Sequence, residues 1–425
     1  MECLELIDIK KTGRQLEYVF SVSCGLDKYF SEKPFIIEYP DSIEEVPDAV
    51  LAIPFVASVL PLIWLTDSEL RVPELDERFY DSISDFKKGY VDMYPEAEFK
   101  GIVTVGQIRN CTIHNEENKS AVLFSGGLDA VTTTLRHKEE NPVLLSIWGS
   151  DIAYDNEKGW AVVENSIRNS GHELGLQCAT IKSSFRDFDK ENVCGKDFLH
   201  LLQRGWWYGA KHGIAIICHV APYAYLHGLK TVYIASSNSV RDGVVRCASD
   251  PSIDNNVAFF GCRVVHDNFE SSRQDKTEYL VKYRKDHNLD QIPLHVCWQS
   301  TGGTNCGHCE KCYRTMVGFW IAGDDPSHYG FTYDKKVFKD IYYQMALREE
   351  KYVAPKEWTY MKEALNQNWN ALKGKPYRNK LKWMRDFNFF DPKSNKCRTR
   401  RASIQKLLIK AHLRGFVSKL KKLYR

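Results

Sequence analysis

Short apolar segments alternate with helical patterns through the middle of the chain. The helical patterns end near residue 137 or cover 160–174 and 197–229, with a break expected at Pro222. The apolar runs, of the kind that form buried parallel strands, are 121–124, 142–148, 177–181 and 231–236. Strands that alternate with helices predict an α/β fold with a doubly wound parallel sheet.

The first 115 residues read as an added N-terminal module that contains β-strands. Segments 16–22 and 34–39 have strand character. The run 49–65 is apolar and contains Pro54 and Pro61, which favours buried strands or a short helix over one long helix. No chemical motif stands out, so the module is expected to be structural or to specify the substrate.

The chain beyond about residue 320 is aromatic-rich and helical in pattern, and this completes a three-domain prediction. The predicted domains are the N-terminal module (1–115), a central α/β domain (116–325) and a helical, basic C-terminal extension (326–425). Within the extension, 403–423 has the spacing of an amphipathic helix with Lys and Arg on its polar side.

Charge is distributed unevenly between this tail and the rest of the chain. Residues 373–425 carry 18 Lys and Arg against 2 Asp and Glu, whereas the remainder carries 40 against 53. A basic tail on an acidic body predicts either docking of the tail on the body or binding of an anionic partner, such as a nucleic acid or a membrane surface.

Composition points to an ordinary globular protein, with 43% apolar and 27% charged residues. There is no apolar run long enough for a transmembrane segment, and the first residues mix acids and bases where a signal peptide needs an apolar stretch. We therefore expect a cytoplasmic location. The 13 cysteines are then expected to be reduced thiols rather than disulfides.

A glycine-containing turn follows the predicted strand at 121–124 and precedes a predicted helix. Glycines let the backbone approach a ligand closely, and the first amides of a helix attract phosphate. Asp129 would hold Mg²⁺, since its carboxylate repels phosphate directly. The alternative is an ordinary strand–turn–helix junction. The residues predicted to bind ATP and pyrophosphate, here called the phosphate turn, are Ser125, Gly126, Gly127, Leu128, Asp129 and Ala130.

Four cysteines lie within sixteen residues with the spacing C-x8-C-x2-C-x2-C. They are Cys297, Cys306, Cys309 and Cys312. Thiolates two residues apart can reach one metal ion from a tight turn, and four of them favour structural Zn²⁺. An iron–sulfur cluster and a set of free thiols are the alternatives. His308 is not expected to be a ligand, because four cysteines already complete the shell.

The phosphate turn resembles the SGGxDS signature of the N-type ATP pyrophosphatases, the PP-loop superfamily. Together with the cysteine cluster, Arg314 after it, and Lys276 and Glu278 at a predicted helix start, it resembles the 7-cyano-7-deazaguanine synthase family of the queuosine pathway. The resemblance covers about residues 120–320. It implies an adenine nucleotide alpha hydrolase-like fold with a structural zinc.

The resemblance also implies an activity. An ATP-dependent ligase of this kind adenylates the carboxylate of 7-carboxy-7-deazaguanine, releases pyrophosphate, and uses ammonia to form an amide or nitrile. By carry-over, Asp129 and Lys276 are the predicted catalytic residues, with Lys276 offsetting negative charge. Asp250 and Arg314 are predicted to contact the substrate. Long-flanked relatives in anti-phage defence are thought to attach a deazaguanine to a protein, and this chain resembles that branch.

The sequence departs from the family pattern at several positions. Ala130 replaces a serine, and the family's YPDCR-type substrate segment is replaced by 246–252. A tRNA-modifying PP-loop enzyme and a non-catalytic nucleotide-binding scaffold are therefore the alternative functions. No general base is evident in the sequence, since His219 and His266 are only candidates and neither is included in the predicted catalytic set.

Overall fold

The computed structural model describes residues 1–113, 119–297, 304–347 and 354–395, together with Ile404 and Leu407. It divides into two compact units, Met1–Ser271 and Ser272–Arg425. This division differs from the predicted boundaries after residues 115 and 325. The first 115 residues belong to the same unit as the central strands, because their strands extend the same sheet. The cysteine cluster belongs to the second unit.

The strands of the first unit form one eleven-stranded sheet. In chain order they are β1 (Cys3–Thr12), β2 (Gln15–Val22), β3 (Phe35–Glu38), β4 (Glu69–Asp76), β5 (Ile102–Arg109), β6 (Lys119–Leu123), β7 (Val143–Trp148), β8 (Cys178–Ser183), β9 (Leu229–Ala235), β10 (Ala258–Phe259) and β11 (Cys262–Asp267). Their spatial order is β10-β11-β9-β6-β7-β8-β3-β2-β1-β4-β5.

The helices of both units are numbered along the chain. In the first unit they are α1 (Asp48–Leu51), α2 (Ile53–Leu65), α3 (Glu77–Met93), α4 (Leu128–Arg136), α5 (Glu157–Leu174), α6 (Glu191–Asp197), α7 (Leu199–Leu202), α8 (His212–Cys218), α9 (Ala221–His227) and α10 (Pro251–Asp254). In the second unit they are α11 (Arg273–Asp286), α12 (Glu310–Ile321), α13 (Val337–Leu347), α14 (Pro355–Asn368) and α15 (Arg378–Leu381).

Five consecutive strands of the sheet, β8-β7-β6-β9-β11, are all parallel. Numbered along the chain their order is 3-2-1-4-5, which is the order of a doubly wound sheet. Strands β1–β5 are added through the antiparallel pair β3–β8, where Ile37 lies opposite Ser183, and β10 is added to β11 at the other edge. The predicted α/β class with a mostly parallel sheet is thereby confirmed.

Most of the apolar run 49–65 forms helix α2. Every residue from Ile53 to Trp64 is buried, so the helix is apolar on all sides and has no amphipathic period. Pro54 lies in the first turn, where a missing N–H is harmless, and Pro61 lies inside the helix. The expected alternatives were buried strands or a short helix, and the structure forms the helix.

The second unit contains α11–α15 within the described residues, with Trp358, Met361 and Leu365 of α14 buried. The predicted amphipathic helix at 403–423 lies outside the described residues apart from Ile404 and Leu407, as does the part of the basic tail beyond residue 395. Of the helices that the structure describes, none is long and apolar enough to cross a membrane.

Asp76 joins the added strands to the far edge of the sheet. Its Oδ1 accepts a hydrogen bond from Phe79 N (2.9 Å), capping α3, and another from Phe260 N (3.0 Å), next to β10. The side chain is buried. Two backbone donors from distant segments therefore depend on one carboxylate.

Replacing Asp76 with Ala should destabilise the protein by about 2–4 kcal/mol, because a helix cap is lost and a second buried N–H is left unsatisfied. Asp76→Asn keeps an acceptor oxygen and should cost less than half as much. The midpoint of urea unfolding, followed by circular dichroism, measures both. Equal losses for the two variants would contradict the acceptor role.

Candidate functional site

The phosphate turn lies between the end of β6 and the start of α4, as predicted. Phe124 N still donates to Leu145 O on β7 (2.9 Å), so the chain leaves the sheet only after that residue. Gly126 has a φ of +73°, in the left-handed region that favours glycine. Gly127 is the N-cap residue of α4, and Ser125 is exposed. The turn therefore reaches solvent at Ser125, beside a helix N-terminus.

Helix α4 is short but firmly placed behind this turn. Thr132, Thr133 and Thr134 are all buried, and β-branched residues are poor helix formers. Two of them hydrogen-bond back into the helix, Thr132 Oγ1 to Leu128 O (2.7 Å) and Thr134 Oγ1 to Ala130 O (2.9 Å). The first amides of such a helix lack intrahelical acceptors and carry partial positive charge.

The turn also lies at the point where the sheet changes direction. After β6 the chain runs outward through β7 and β8, and then returns to place β9 on the other side of β6. The helices that follow β6 and β9 lie on opposite faces of the sheet, and in doubly wound sheets a crevice forms at the carboxyl ends of two such strands. Doubly wound sheets bind ligands at this switch point. The position of the turn and its backbone conformation are both compatible with the predicted binding of a phosphate group.

Side chains near the crevice separate onto two faces of the sheet. Tyr233 on β9 pairs with Val122 on β6, and the next residue, Ile234, pairs with His266 on β11. Because side chains alternate along a strand, Ile234 and His266 point to one face. Tyr233 and Asp267 point to the other.

The Asp267 face is covered by α4 through a charged network. Asp267 accepts hydrogen bonds from Thr133 Oγ1 (2.8 Å) and from His137 Nε2 (3.2 Å), and Arg136 lies 3.3 Å away. Burial alone would raise the pKa of Asp267, but His137, Thr133 and Arg136 together lower it. Burial lowers the pKa of His137 in turn, but its bonds to Asp267 and Glu140 raise it above the ordinary value. This network fixes the helix whose N-terminus forms the turn.

The opposite face carries a polar and aromatic cluster around the start of α8. A π-helical turn, Trp207–Lys211, precedes α8, and such turns are frequent at functional sites. His212 contacts the Trp207 ring (5.2 Å between centroids) and its Nδ1 lies 3.9 Å from Cys247 Sγ. Burial lowers the pKa of His212. Asn238, in the loop after β9, donates to Tyr208 Oη (3.5 Å).

Aromatic and cationic side chains also gather at the ends of β7 and β8. Lys182 Nζ lies 3.9 Å from the centre of the Trp148 ring, and Trp148 stacks on Trp160 at 5.3 Å. Arg186 packs over Trp207 at 4.3 Å. Such surfaces suit a planar ring. Nothing in the linear sequence marked these residues, because they come together only through the strand order.

His266 and Asp254 form a buried pair on the α8 face. His266 Nδ1 lies 2.8 Å from Asp254 Oδ2, and Ser249 Oγ donates to the same oxygen (2.8 Å). The His266 backbone N donates to Asn255 Oδ1 (2.7 Å). The sequence placed Asp254 and His266 twelve residues apart, with no signal that they pair.

His219, the other candidate histidine, has both ring nitrogens occupied. Nδ1 donates to Ala215 O (2.6 Å), and Nε2 lies within hydrogen-bonding distance of Ser183 Oγ (2.8 Å). It is fully buried, and burial lowers its pKa to about 4. His219 is therefore a structural residue.

Protonation of His219 should destabilise the fold in acid. Its folded pKa of about 4 lies below the ordinary value, so the unfolded chain binds the proton more readily. The contribution of the neutral His219 to the free energy of unfolding is therefore fully present above pH ~6.5. It is lost as pH falls towards 4, by on the order of 3 kcal/mol in total.

Urea midpoints measured across this pH range should fall less steeply for His219→Gln than for the parent, although the variant is less stable at neutral pH. His172→Gln, at an exposed position on α5, provides the control. An unchanged slope in His219→Gln would assign the acid sensitivity to other groups.

The three remaining predicted side chains have local contacts of their own. Asp250 is the N-cap of α10 and accepts from Ser252 N (2.9 Å). Arg314, in the second unit, lies 3.4 Å from Glu310 and 3.3 Å from Glu357. Lys276 is buried in the first turn of α11. The substrate and catalytic roles of these residues remain predictions.

The four cysteines of the cluster come together in the second unit. All four sulfurs lie within 4.8 Å of one another, with Cys297–Cys309 and Cys306–Cys312 both at 3.9 Å. A tetrahedral zinc with Zn–S bonds of about 2.3 Å separates its ligands by about 3.8 Å. The donor set therefore fits a structural Zn²⁺, as predicted from the spacing.

The backbone around the cluster supports thiolates. Cys309 N donates to Cys306 Sγ (3.3 Å), and Cys309 is the N-cap of α12, accepting from Cys312 N (3.4 Å). The Cys312 thiol and backbone N–H lower the pKa of Cys309. Gly307 permits the tight turn with a φ of +71°.

The purified protein should contain about one zinc per chain, measured by elemental mass spectrometry. Cys309→Ser and Cys306→Ser should each lose most of the metal and lower the melting temperature, since structural zinc contributes folding energy. Cys24→Ser, which replaces an exposed thiol outside the cluster, should retain it. Iron in place of zinc would favour the alternative of an iron–sulfur cluster.

An open groove of about 660 Å³ lies at the opposite edge of the sheet, where β9 and β11 begin. Its lining includes Arg78, Lys230 and Arg263. Because ligands of doubly wound sheets bind at the carboxyl edge, this groove is separate from the phosphate turn.

No family model, curated protein or solved structure matches this chain. The resemblance to the deazaguanine synthases therefore remains a prediction, carried by the residues quoted above.

Proposed function

We propose that this protein is an ATP-dependent ligase that adenylates a carboxylate at the phosphate turn and releases pyrophosphate. The observation that carries this proposal is the position of the turn. A two-glycine turn, with Gly126 at positive φ, joins the first strand of a 3-2-1-4-5 sheet to a helix N-terminus at the switch point. The SGGLD motif within it, which resembles the PP-loop signature, points to ATP rather than to a dinucleotide.

The chemistry follows from what a carboxylate lacks. It is a poor electrophile, because expelling oxide is prohibitive, and adenylation provides AMP as the leaving group. Pyrophosphate would depart into the turn, where the backbone amides of α4 oppose its growing charge. Asp129, half-buried in the first turn of α4, would hold Mg²⁺, which neutralises phosphate charge when bound.

The proposed acid is a 7-carboxy-7-deazaguanine-like molecule, and an amine or ammonia would then form the amide or nitrile. The resemblance supplies this identity. The aromatic surfaces near the ends of β7 and β8, including Trp148 and Trp207, support a planar ring as substrate. A protein amine as acceptor, in anti-phage defence, is the corresponding proposal for the long-flanked branch.

The test is acid-dependent exchange of labelled pyrophosphate into ATP. With Mg²⁺ and 7-carboxy-7-deazaguanine, the wild-type protein should exchange pyrophosphate, and addition of ammonium should convert ATP to AMP. Absence of both reactions would reject the activity for this acid. Salt-sensitive tRNA binding without exchange would favour the RNA-modifying alternative, and nucleotide binding alone would favour the scaffold.

Variants of the phosphate turn should separate binding of pyrophosphate from folding. Gly126→Ala places a side chain at positive φ and should reduce exchange by about 100-fold or more, comparable to losing an oxyanion donor. Asp129→Asn should reduce exchange and raise the Mg²⁺ concentration required.

Ala130→Ser is the matched control in the same turn, because it restores the hydroxyl of the resembling family. It should exchange pyrophosphate at least as fast as the parent. If Gly126→Ala and Asp129→Asn both exchange pyrophosphate at the parent rate, the phosphate turn takes no part in the mechanism.

A further inference from the structure

Aminolysis of an acyl adenylate requires a base, and the structure distinguishes between the two candidate histidines. An attacking ammonia or amine must lose a proton as the amide forms. His219 has no ring nitrogen available, since both accept or donate within the core. His266 is bonded through Nδ1 alone, and no group in the described part of the chain bonds its Nε2.

The environment of His266 makes this free nitrogen notable. The side chain is only 2% exposed and that of Asp254 is fully buried. Nε2 itself is not fully enclosed, so it can meet a reacting group while the rest of the ring is held in place. A histidine whose one nitrogen is held by a carboxylate while the other is available has the geometry of an oriented general base.

Asp254 is itself built into position. Ser249 Oγ donates to Oδ2, and the helix α8 approaches so closely that a Cβ on Gly213 would lie 2.3 Å from Asp254 Oδ1. Only glycine at 213 leaves room for the carboxylate. The backbone of α8 therefore positions Asp254, and Asp254 in turn orients the His266 ring.

His266 also lies at the correct edge of the sheet. It is the penultimate residue of β11, two strands away from β6. Neighbouring strands are about 4.8 Å apart, so the two strand ends are separated by roughly 10 Å. An acyl adenylate whose phosphates occupy the turn can extend over this distance.

We propose that His266 is the general base of the second half-reaction, with Asp254 as its positioning residue; this rests on the proposed adenylation. The amine nitrogen attacks the acyl carbon, forming the C–N bond. The bond from that carbon to the AMP oxygen breaks, and AMP leaves with the electron pair. His266 Nε2 takes the proton from nitrogen, and Asp254 stabilises the resulting imidazolium.

Two nucleophiles test this role within one protein. The full chain is supplied with ATP, Mg²⁺ and 7-carboxy-7-deazaguanine, and adenylation is followed by pyrophosphate exchange. Ammonium must lose one proton before it can attack and a second as the amide forms, so it depends strongly on a base at neutral pH. Hydroxylamine attacks as the neutral molecule and loses a single proton, which water can accept. His266→Gln should keep exchange and hydroxamate formation within a few-fold of the parent and lose about 10²- to 10⁴-fold in amide formation from ammonium.

Asp254→Asn should also lose amide formation while keeping exchange and hydroxamate formation, but to a smaller extent. Added imidazole should partly restore amide formation in His266→Ala. His172→Gln, an exposed histidine on α5, should change none of the three rates.

If His266→Gln forms amide at the parent rate, or if a folded variant loses all three reactions together, the base assignment is overturned while adenylation stands. If His266→Gln does not fold, His266→Asn and Asp254→Asn decide by the same ratio. Absence of exchange in the parent would overturn the proposed function and this inference together.

Discussion

The structure depends on a parallel pairing between two strands that lie far apart in sequence. Val122 on β6 and Tyr233 on β9 are neighbours in the sheet. The chain after β6 leads to strands on one side of this pair, and the chain after β9 leads to strands on the other side. Backbone hydrogen bonds hold these strands together along their length, yet at their carboxyl ends the chain departs in opposite directions. The phosphate turn lies in the gap that results. Without the pairing, Gly126 and Gly127 would form an ordinary loop.

The two faces of the sheet differ in the side chains that surround that gap. On one face, Asp267, Thr133 and His137 form a saturated network that holds α4, so the amides of the turn stay in place. On the other face, His212 contacts Trp207 and Cys247, His266 pairs with Asp254, and a π-helical turn interrupts regular packing. The phosphate turn therefore has a firmly held helix behind it and the proposed base beside it, which is the arrangement that a preorganised site requires.

The sequence predicted those features that depend on local pattern. Strand β6, the turn and α4 were expected because an apolar run, two glycines and a helical period are contiguous, and the cysteine cluster because its ligands lie within sixteen residues. The attachment of β3 to β8 was not predictable, since only the register of Ile37 with Ser183 creates it. The pairing of His266 with Asp254 likewise required β11 and α10 to be packed. For α2, uniform burial removed the periodicity that would have identified a helix.

The contacts of Arg314 show how resemblance and geometry can lead to different roles. Its guanidinium lies between Glu310 and Glu357, and the fully buried Glu310 also accepts from Trp358 Nε1 (2.9 Å). Glu310 directly follows Cys309, so the charge of this carboxylate would add to that of the zinc thiolates. A nearby cation offsets a concentration of buried negative charge, and removing it would weaken that compensation. Charge compensation next to the metal site accounts for an arginine shortly after the cysteine cluster without requiring it to reach a substrate.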